Sequence, residues 1–213
     1  MQAPGWMPVD VQALGVDAMS LSAHKFGGPK GNGVLYLRRG TPFRPLLVGG
    51  GQEMQKRAGT ENVAGAVATA TALEEACRGI DARVGRVRTL RDHLRDGILA
   101  RVPGSRTNGC QVNCLPNNLN IAFADLESDA LLERLDARGI AASSGSACSN
   151  STWEPSHVLL AMGVPIRRAV GSVRFSLGED TTMADIDEVL RVLPGEVANT
   201  RAEVATRAGR VSA

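Results

Sequence analysis

Apolar and polar positions change rhythm several times along this chain. Val16-Asp-Ala-Met-Ser-Leu-Ser22 is a short, largely apolar run, and Val34-Leu-Tyr-Leu37 is a second. Each predicts a strand. A Gly/Pro-rich connection joins them. Ahead of the first run, Pro4, Gly5 and Pro8 predict a loop, with a short turn of helix over 9–14. Residues 38–45 predict another loop, and Gly49-Gly-Gly51 a flexible joint. Thr60 stands at an N-cap position before an alanine-dense helix predicted over 61–78. A second helix is predicted over 81–100, where Val84, Val87, Leu90, Leu94 and Ile98 recur at three- and four-residue steps. The arginine-rich remainder of that helix predicts a solvated face.

Pro103-Gly104 begins a break, after which short elements alternate. Strands are predicted over 118–123, 139–142 and 171–177. Helices are predicted over 129–136, 155–162 and 182–193, the last with Thr181 or Thr182 as cap and Ile186, Val189 and Leu190 on one face. This reads as a small α/β unit of its own. Residues after Gly195 are polar and alanine-rich and predict a fraying end. The expected organisation is therefore 1–104, 105–200 and a tail at 201–213, in the α/β class.

Composition narrows the function. Hydrophobic residues make up 43% and charged residues 22%, as in a soluble globular protein with an ordinary core. The net charge of +2 gives no electrostatic case for nucleic acid or an anionic membrane as partner. With no apolar run of spanning length and no leader pattern, the expected location is the cytoplasm. Cysteines at 77, 110, 114 and 148 do not form a disulfide framework.

Lysine is scarce. Only positions 25, 30 and 56 carry it, against 21 arginines among the 24 basic residues. Lys25 follows the first strand directly. One reading is a surface lysine in a hairpin. The other is an amine desolvated on one side, whose neutral form condenses with an aldehyde. Gly27, Gly28, Gly31 and Gly33 would leave room for a ligand beside it. Cys148 lies among serines, glycine and alanine, a setting for an exposed, reactive thiol or for a buried loop cysteine. Arg174 sits between apolar residues on a strand, where a guanidinium needs a structural ion pair or a bound carboxylate. Cys110 and Cys114 have no second pair and no histidine nearby, so they read as incidental and no metal is expected. His93 and His157 read as surface residues.

Taken together the blocks carry a resemblance. Ser22-Ala-His-Lys25 with Gly28-Pro-Lys-Gly31, Gly49-Gly-Gly-Gln-Glu53, Arg57-Ala-Gly-Thr60, Ser143-Ser-Gly-Ser-Ala-Cys148 and Val173-Arg-Phe-Ser-Leu-Gly178 resemble the cysteine desulfurases. These are class V aminotransferases of fold type I. The resemblance implies part of a pyridoxal-phosphate-binding large domain followed by a small α/β domain. It implies pyridoxal 5'-phosphate as cofactor, held by Lys25, which would also shuttle the proton. It places His24 at the cofactor, Ser22 and Thr60 on its phosphate, and Gln2 on the ring's hydroxyl oxygen. Thr60 would reach the neighbouring subunit's cofactor in a homodimer. Arg174 would hold the carboxylate of L-cysteine. Cys148 would attack the substrate sulfur, become a persulfide and leave L-alanine as product. The acceptor would be a sulfur-carrying or iron–sulfur scaffold protein.

The family's aspartate for the ring nitrogen falls three residues before the glutamine matched by Gln2, upstream of Met1. The family's stacking histidine and one phosphate-binding loop belong to the same N-terminal half. The expectation is a C-terminal portion without that half. Two alternatives stand beside it: a half-chain that acts as a partner-binding subunit without catalysis, and an enzyme like the selenocysteine lyases.

Overall fold

The computed structural model describes residues 2–144 and 155–211. The chain divides into two compact units, Met1–Arg83 and Val84–Ala213. The division expected at residue 104 thus compares with a contact boundary inside a long helix. The reason is the stripe of Val87, Leu90, Leu94 and Ile98, which is buried as part of the second unit.

In the first unit β1 (Ala18–Ser22) and β2 (Gly33–Leu37) pair antiparallel, closing at Ser22 opposite Gly33. A Cβ on Gly33 would lie 2.6 Å from the Leu21 carbonyl oxygen. That glycine's bare face is filled by the hairpin's own backbone, not left for a ligand. A 3-10 turn, Ala23–Phe26, follows β1. Residues three apart eclipse in such a turn. Ala23 and Phe26 are accordingly buried together, while His24 and Lys25 are exposed.

The expected joint at Gly49–Gly51 leads into a small hairpin of β3 (Gly51–Gln52) and β4 (Arg57–Ala58). Its turn puts Glu53, Met54 and Gln55 at φ 51°, 55° and 63°. α1 (Val63–Cys77) packs on the 3-10 turn. Its cap is Asn62, whose side chain accepts the Gly65 N–H at 3.0 Å, so the N-cap expected at Thr60 is corrected. Asn62 reaches that N–H from the position directly before the first helical residue; Thr60 is two residues too early. Asn62 Nδ2 also donates to Asn32 Oδ1 at 3.1 Å, tying the helix start to the β1–β2 connection.

α2 (Ile80–Arg101) runs into the second unit. There β5 (Ser105–Thr107), β6 (Asn118–Phe123), β7 (Ser143–Ser144) and β8 (Ser172–Ser176) form one antiparallel sheet in the order β5-β6-β8-β7. The strand expected over 139–142 begins only at Ser143. Residues alternate between sheet faces. Leu119 and Ile121 of β6 therefore face the core beside their partners Phe175 and Val173 of β8. Asn120 pairs with Arg174 on the other face, and Ser143 pairs with Arg174 from β7. α3 (Ser128–Asp136), α4 (His157–Ala161), α5 (Ile166–Val170) and α6 (Met183–Val211) complete the unit. Leu131 and Leu135 of α3 are fully buried, as is Leu193 of α6. Thr182 caps α6: its Oγ1 accepts the Asp185 N–H, and Asp185 Oδ2 accepts the Thr182 N–H at 2.8 Å.

Two expectations are corrected here. The helix expected to stop at Leu193 continues to Val211, with Pro194 inside it. A proline lacks the N–H that would bond the carbonyl four residues back. Here that carbonyl, on Leu190, accepts Arg101 Nη1 at 3.1 Å. Beyond the proline, Val197 and Thr200 are buried. Arg201 binds the carbonyls of Ala124 and Pro103 at 2.9 and 2.8 Å. Glu196, 4% exposed, takes Arg138 Nε at 2.9 Å and Arg134 Nη1 at 3.5 Å. The second correction concerns the arginine face of α2. Arg91 is 2% exposed, because it falls within the apolar stripe between Leu90 and Leu94. Asp92 and Cys114 satisfy it. No helix among the described residues is long and apolar enough to cross a membrane.

Candidate functional site

The residues expected at a cofactor are grouped in the first unit. Lys25 and His24 project from the outer side of the 3-10 turn, fixed from below by Ala23 and Phe26. Ser22 ends β1 and is half-buried; Thr60 and Gln2 are exposed. The chemistry of this donor set fits pyridoxal phosphate: a primary amine for its aldehyde, two hydroxyls for its phosphate and an amide for its ring oxygen. α1, the nearest long helix after Thr60, has its first free N–H groups partly taken by Asn62.

Arg174 belongs to the second unit. Register places it between Asn120 and Ser143, and Nη2 donates to Ser143 Oγ at 2.9 Å. Its Nε is buried without an acceptor among the described residues. No carboxylate among the described residues pairs with it. Arg174 lines a cavity of about 300 Å³ together with Asn108, Asn120, Cys110, Cys114 and Met162. Asn108 Nδ2 donates to Asn120 Oδ1 at 2.7 Å and to Ser172 Oγ at 3.0 Å, fixing the polar wall. The cavity is what an unpaired guanidinium on a sheet face requires if it is to meet a small anion.

Three features of this cavity escaped the sequence pattern. Asn118 and Asn120 alternate with Leu119 and Ile121, which marks a polar face on an otherwise apolar strand. Cys110 and Cys114, read as incidental, both line the cavity. The Cys110 thiol is held below its ordinary value by backbone N–H groups of Asn113 and then Val112. Arg91, behind Cys114, gave no signal distinct from its solvated neighbours. Of the remaining histidines, His93 pairs with Asp187 at 3.0 Å, and His157 is exposed at the start of α4. Cys148 lies outside the described residues.

The sequence profile of the class-V aminotransferases matches residues 1–189, a span enclosing every expected site residue from Gln2 to Arg174. This chain belongs to the class-V aminotransferase family. Within that family, cysteine desulfurase IscS of Dictyoglomus turgidum is 49% identical over 193 residues, covering 91% of this chain and 49% of its own length. Cysteine desulfurase NifS of Azotobacter vinelandii is 49% identical over 201 residues, covering 94% of this chain and 50% of its own. A solved NifS-like protein superposes with a TM-score of 0.83 at 35% identity, over 93% of this chain and 51% of that one. The α/β fold is thus that of this class-V aminotransferase group. The chain spans about half the length of the curated relatives it matches.

Proposed function

We propose that this chain carries the lysine and the sulfur-accepting half of a pyridoxal-phosphate-dependent cysteine desulfurase. The observation that carries the reading is the match to relatives named cysteine desulfurases. At 193 of 213 residues, any such span includes Lys25, Thr60, Cys148 and Arg174. Pyridoxal phosphate, when bound, supplies an electron-withdrawing ring that weakens the bonds at the carbon atoms of the bound cysteine. Lys25 Nζ would bind its aldehyde and move protons to and from the substrate. Ser22 and Thr60 would hold the phosphate, Gln2 the ring oxygen, with His24 beside them. Arg174 would take the cysteine carboxylate, its unpaired Nε being the donor that supports this. The Cys148 thiolate would attack the substrate sulfur, so that L-cysteine and one thiol give L-alanine and one persulfide. The persulfide would pass to a sulfur-acceptor or iron–sulfur scaffold protein, within a homodimer.

The test uses a preparation that turns over L-cysteine. Cys148→Ala is expected to keep the visible cofactor absorbance and lose persulfide formation. Lys25→Ala is expected to lose both. Undiminished sulfur release by Cys148→Ala would overturn its assignment. A second reading, a half-chain that works only with a complementary polypeptide, draws on the exposed apolar side chains of the first unit and on the half-length match. Turnover that appears only on adding the remaining half of the relatives' length would select it.

A further inference from the structure

The cavity beside Arg174 contains two groups that cysteine desulfuration leaves idle. Cys110 and Cys114 line it from one bend, four positions apart. Cys110 is the open thiol: it is exposed, and its Sγ accepts the Asn113 N–H at 3.3 Å. The Asn113 and then the Val112 N–H groups hold this thiol below its ordinary pKa, which raises the thiolate fraction near neutral pH. Cys114 is deeper. Its Sγ accepts Arg91 Nη1 at 3.0 Å, from a guanidinium that is 2% exposed. That contact, with Arg91 itself held by Asp92, fixes where the Cys114 sulfur sits. The third group is Arg174, whose buried Nε has no acceptor among the described residues. Two thiols and a guanidinium lining about 300 Å³ fit one class of small molecule.

We infer that this cavity binds a small carboxylate-bearing disulfide, which the Cys110–Cys114 pair reduces by thiol–disulfide exchange. The Cys110 thiolate attacks one sulfur of R–S–S–R; that S–S bond breaks, and the departing R–S⁻ takes a proton from water. Cys110 is then joined to the second R–S group. Cys114, its proton released to water, attacks Cys110 Sγ. The Cys110–Cys114 bond forms and the second R–S⁻ leaves and is protonated. The two thiols lose two electrons and the disulfide gains two, giving two R–SH and one internal disulfide. Arg174 sets the preference for carboxylate by pairing with R.

Two disulfides of similar size test this on the intact chain: dithiodiglycolate, which carries carboxylates, and hydroxyethyl disulfide, which is neutral. Trypsin places Cys110 and Cys114 in residues 107–134 and the exposed Cys77 in residues 58–78, so Cys77 reports the intrinsic reactivity of each probe. The ratio of Cys110 to Cys77 modification, read by mass spectrometry after alkylation, is expected to be about tenfold higher or more for dithiodiglycolate. Arg174→Gln is expected to bring it down to the neutral probe's ratio. With both cysteines present, 107–134 ends as an internal disulfide; Cys114→Ser stops at the mixed disulfide on Cys110. Equal ratios for the two probes on the unsubstituted chain, or a mixed disulfide that persists with Cys114 in place, would overturn the inference. No step of this test depends on cysteine turnover, so its result is separate from the desulfurase reading.

Discussion

The unit carrying Arg174 buries an apolar core of its own, whereas the unit carrying Lys25 buries few apolar side chains. From Val84 onward, Phe123, Leu131, Leu135 and Leu193 are wholly buried. Before it, the buried apolar side chains among the described residues are few: Pro4, Ala23 and Phe26. Leu46, Val48 and Met54 are instead 93%, 83% and 85% exposed. The difference follows from architecture. A four-stranded antiparallel sheet with helices against one face can close a core alone. A two-stranded hairpin with one packed helix has little apolar face to bury, and Lys25 is exposed on it. One chain thus holds a unit with a closed core and a cavity on its sheet, and a unit with little core that carries Lys25.

The largest expected break of this contrast is in the sheet core. Phe123→Ala should cost about 3–5 kcal/mol, read as a shift in the urea midpoint of the second unit's signal, because it empties a fully buried site. Acid should also act unequally. Burial raises the Glu196 carboxyl, but bonds from Asn199 and Arg138 and the charges of Arg138 and Arg134 pull it below its ordinary value. A lowered folded value means stability that is present above the ordinary glutamate range and lost as pH falls through the folded one. All carboxylates described in the first unit are exposed. Urea midpoints between about pH 5 and pH 3 should therefore fall mainly for the second unit, and Glu196→Gln should flatten that slope.

Next comes the proline. Arg101→Met leaves the Leu190 carbonyl without its donor and should cost about 1–3 kcal/mol. Pro194→Ala restores an intrahelical donor, so in that background the Arg101 substitution should cost less; additive effects in the urea cycle would break the account. The smallest effect belongs to the first unit. Leu46→Gln should change the urea midpoint by no more than about 0.5 kcal/mol, since that side chain touches little. A large loss there would show that its exposed apolar residues already have cover.

How far the sequence spoke also differs between the units. The α2 stripe was legible because Val87, Leu90, Leu94 and Ile98 are buried within the second unit, and β6 was legible as a strand. The β1–β2 hairpin was legible from its turn glycines, but their purpose was not: Gly33 answers to the Leu21 carbonyl, a cross-strand contact with no local signature. Asn62 took the cap from Thr60 because its side chain, two positions later, meets Gly65. The continuation of α6 was illegible for a similar reason. Pro194 is a stop signal by its own chemistry, and the arginine that cancels it lies on another helix. At the cavity, Arg174 was legible between its apolar strand neighbours, Asn120 was not singled out, and Arg91 and Cys114 met through a loop that no pattern predicts.

The bond from Arg101 to Leu190 has a consequence for how the end of the chain opens. A terminal helix ordinarily loses its backbone protection by unzipping from the last residue inward. Past Pro194, the amides near Val197 and Thr200 are held by buried side chains and by Arg201 on two carbonyls of another segment. Their protons should trade with deuterium at the slow rate of the sheet they pack beside, and not at the rate of a loose end. The ladder's one gap, at the proline, is bridged from outside the helix, so the two halves of α6 open as one body with α2.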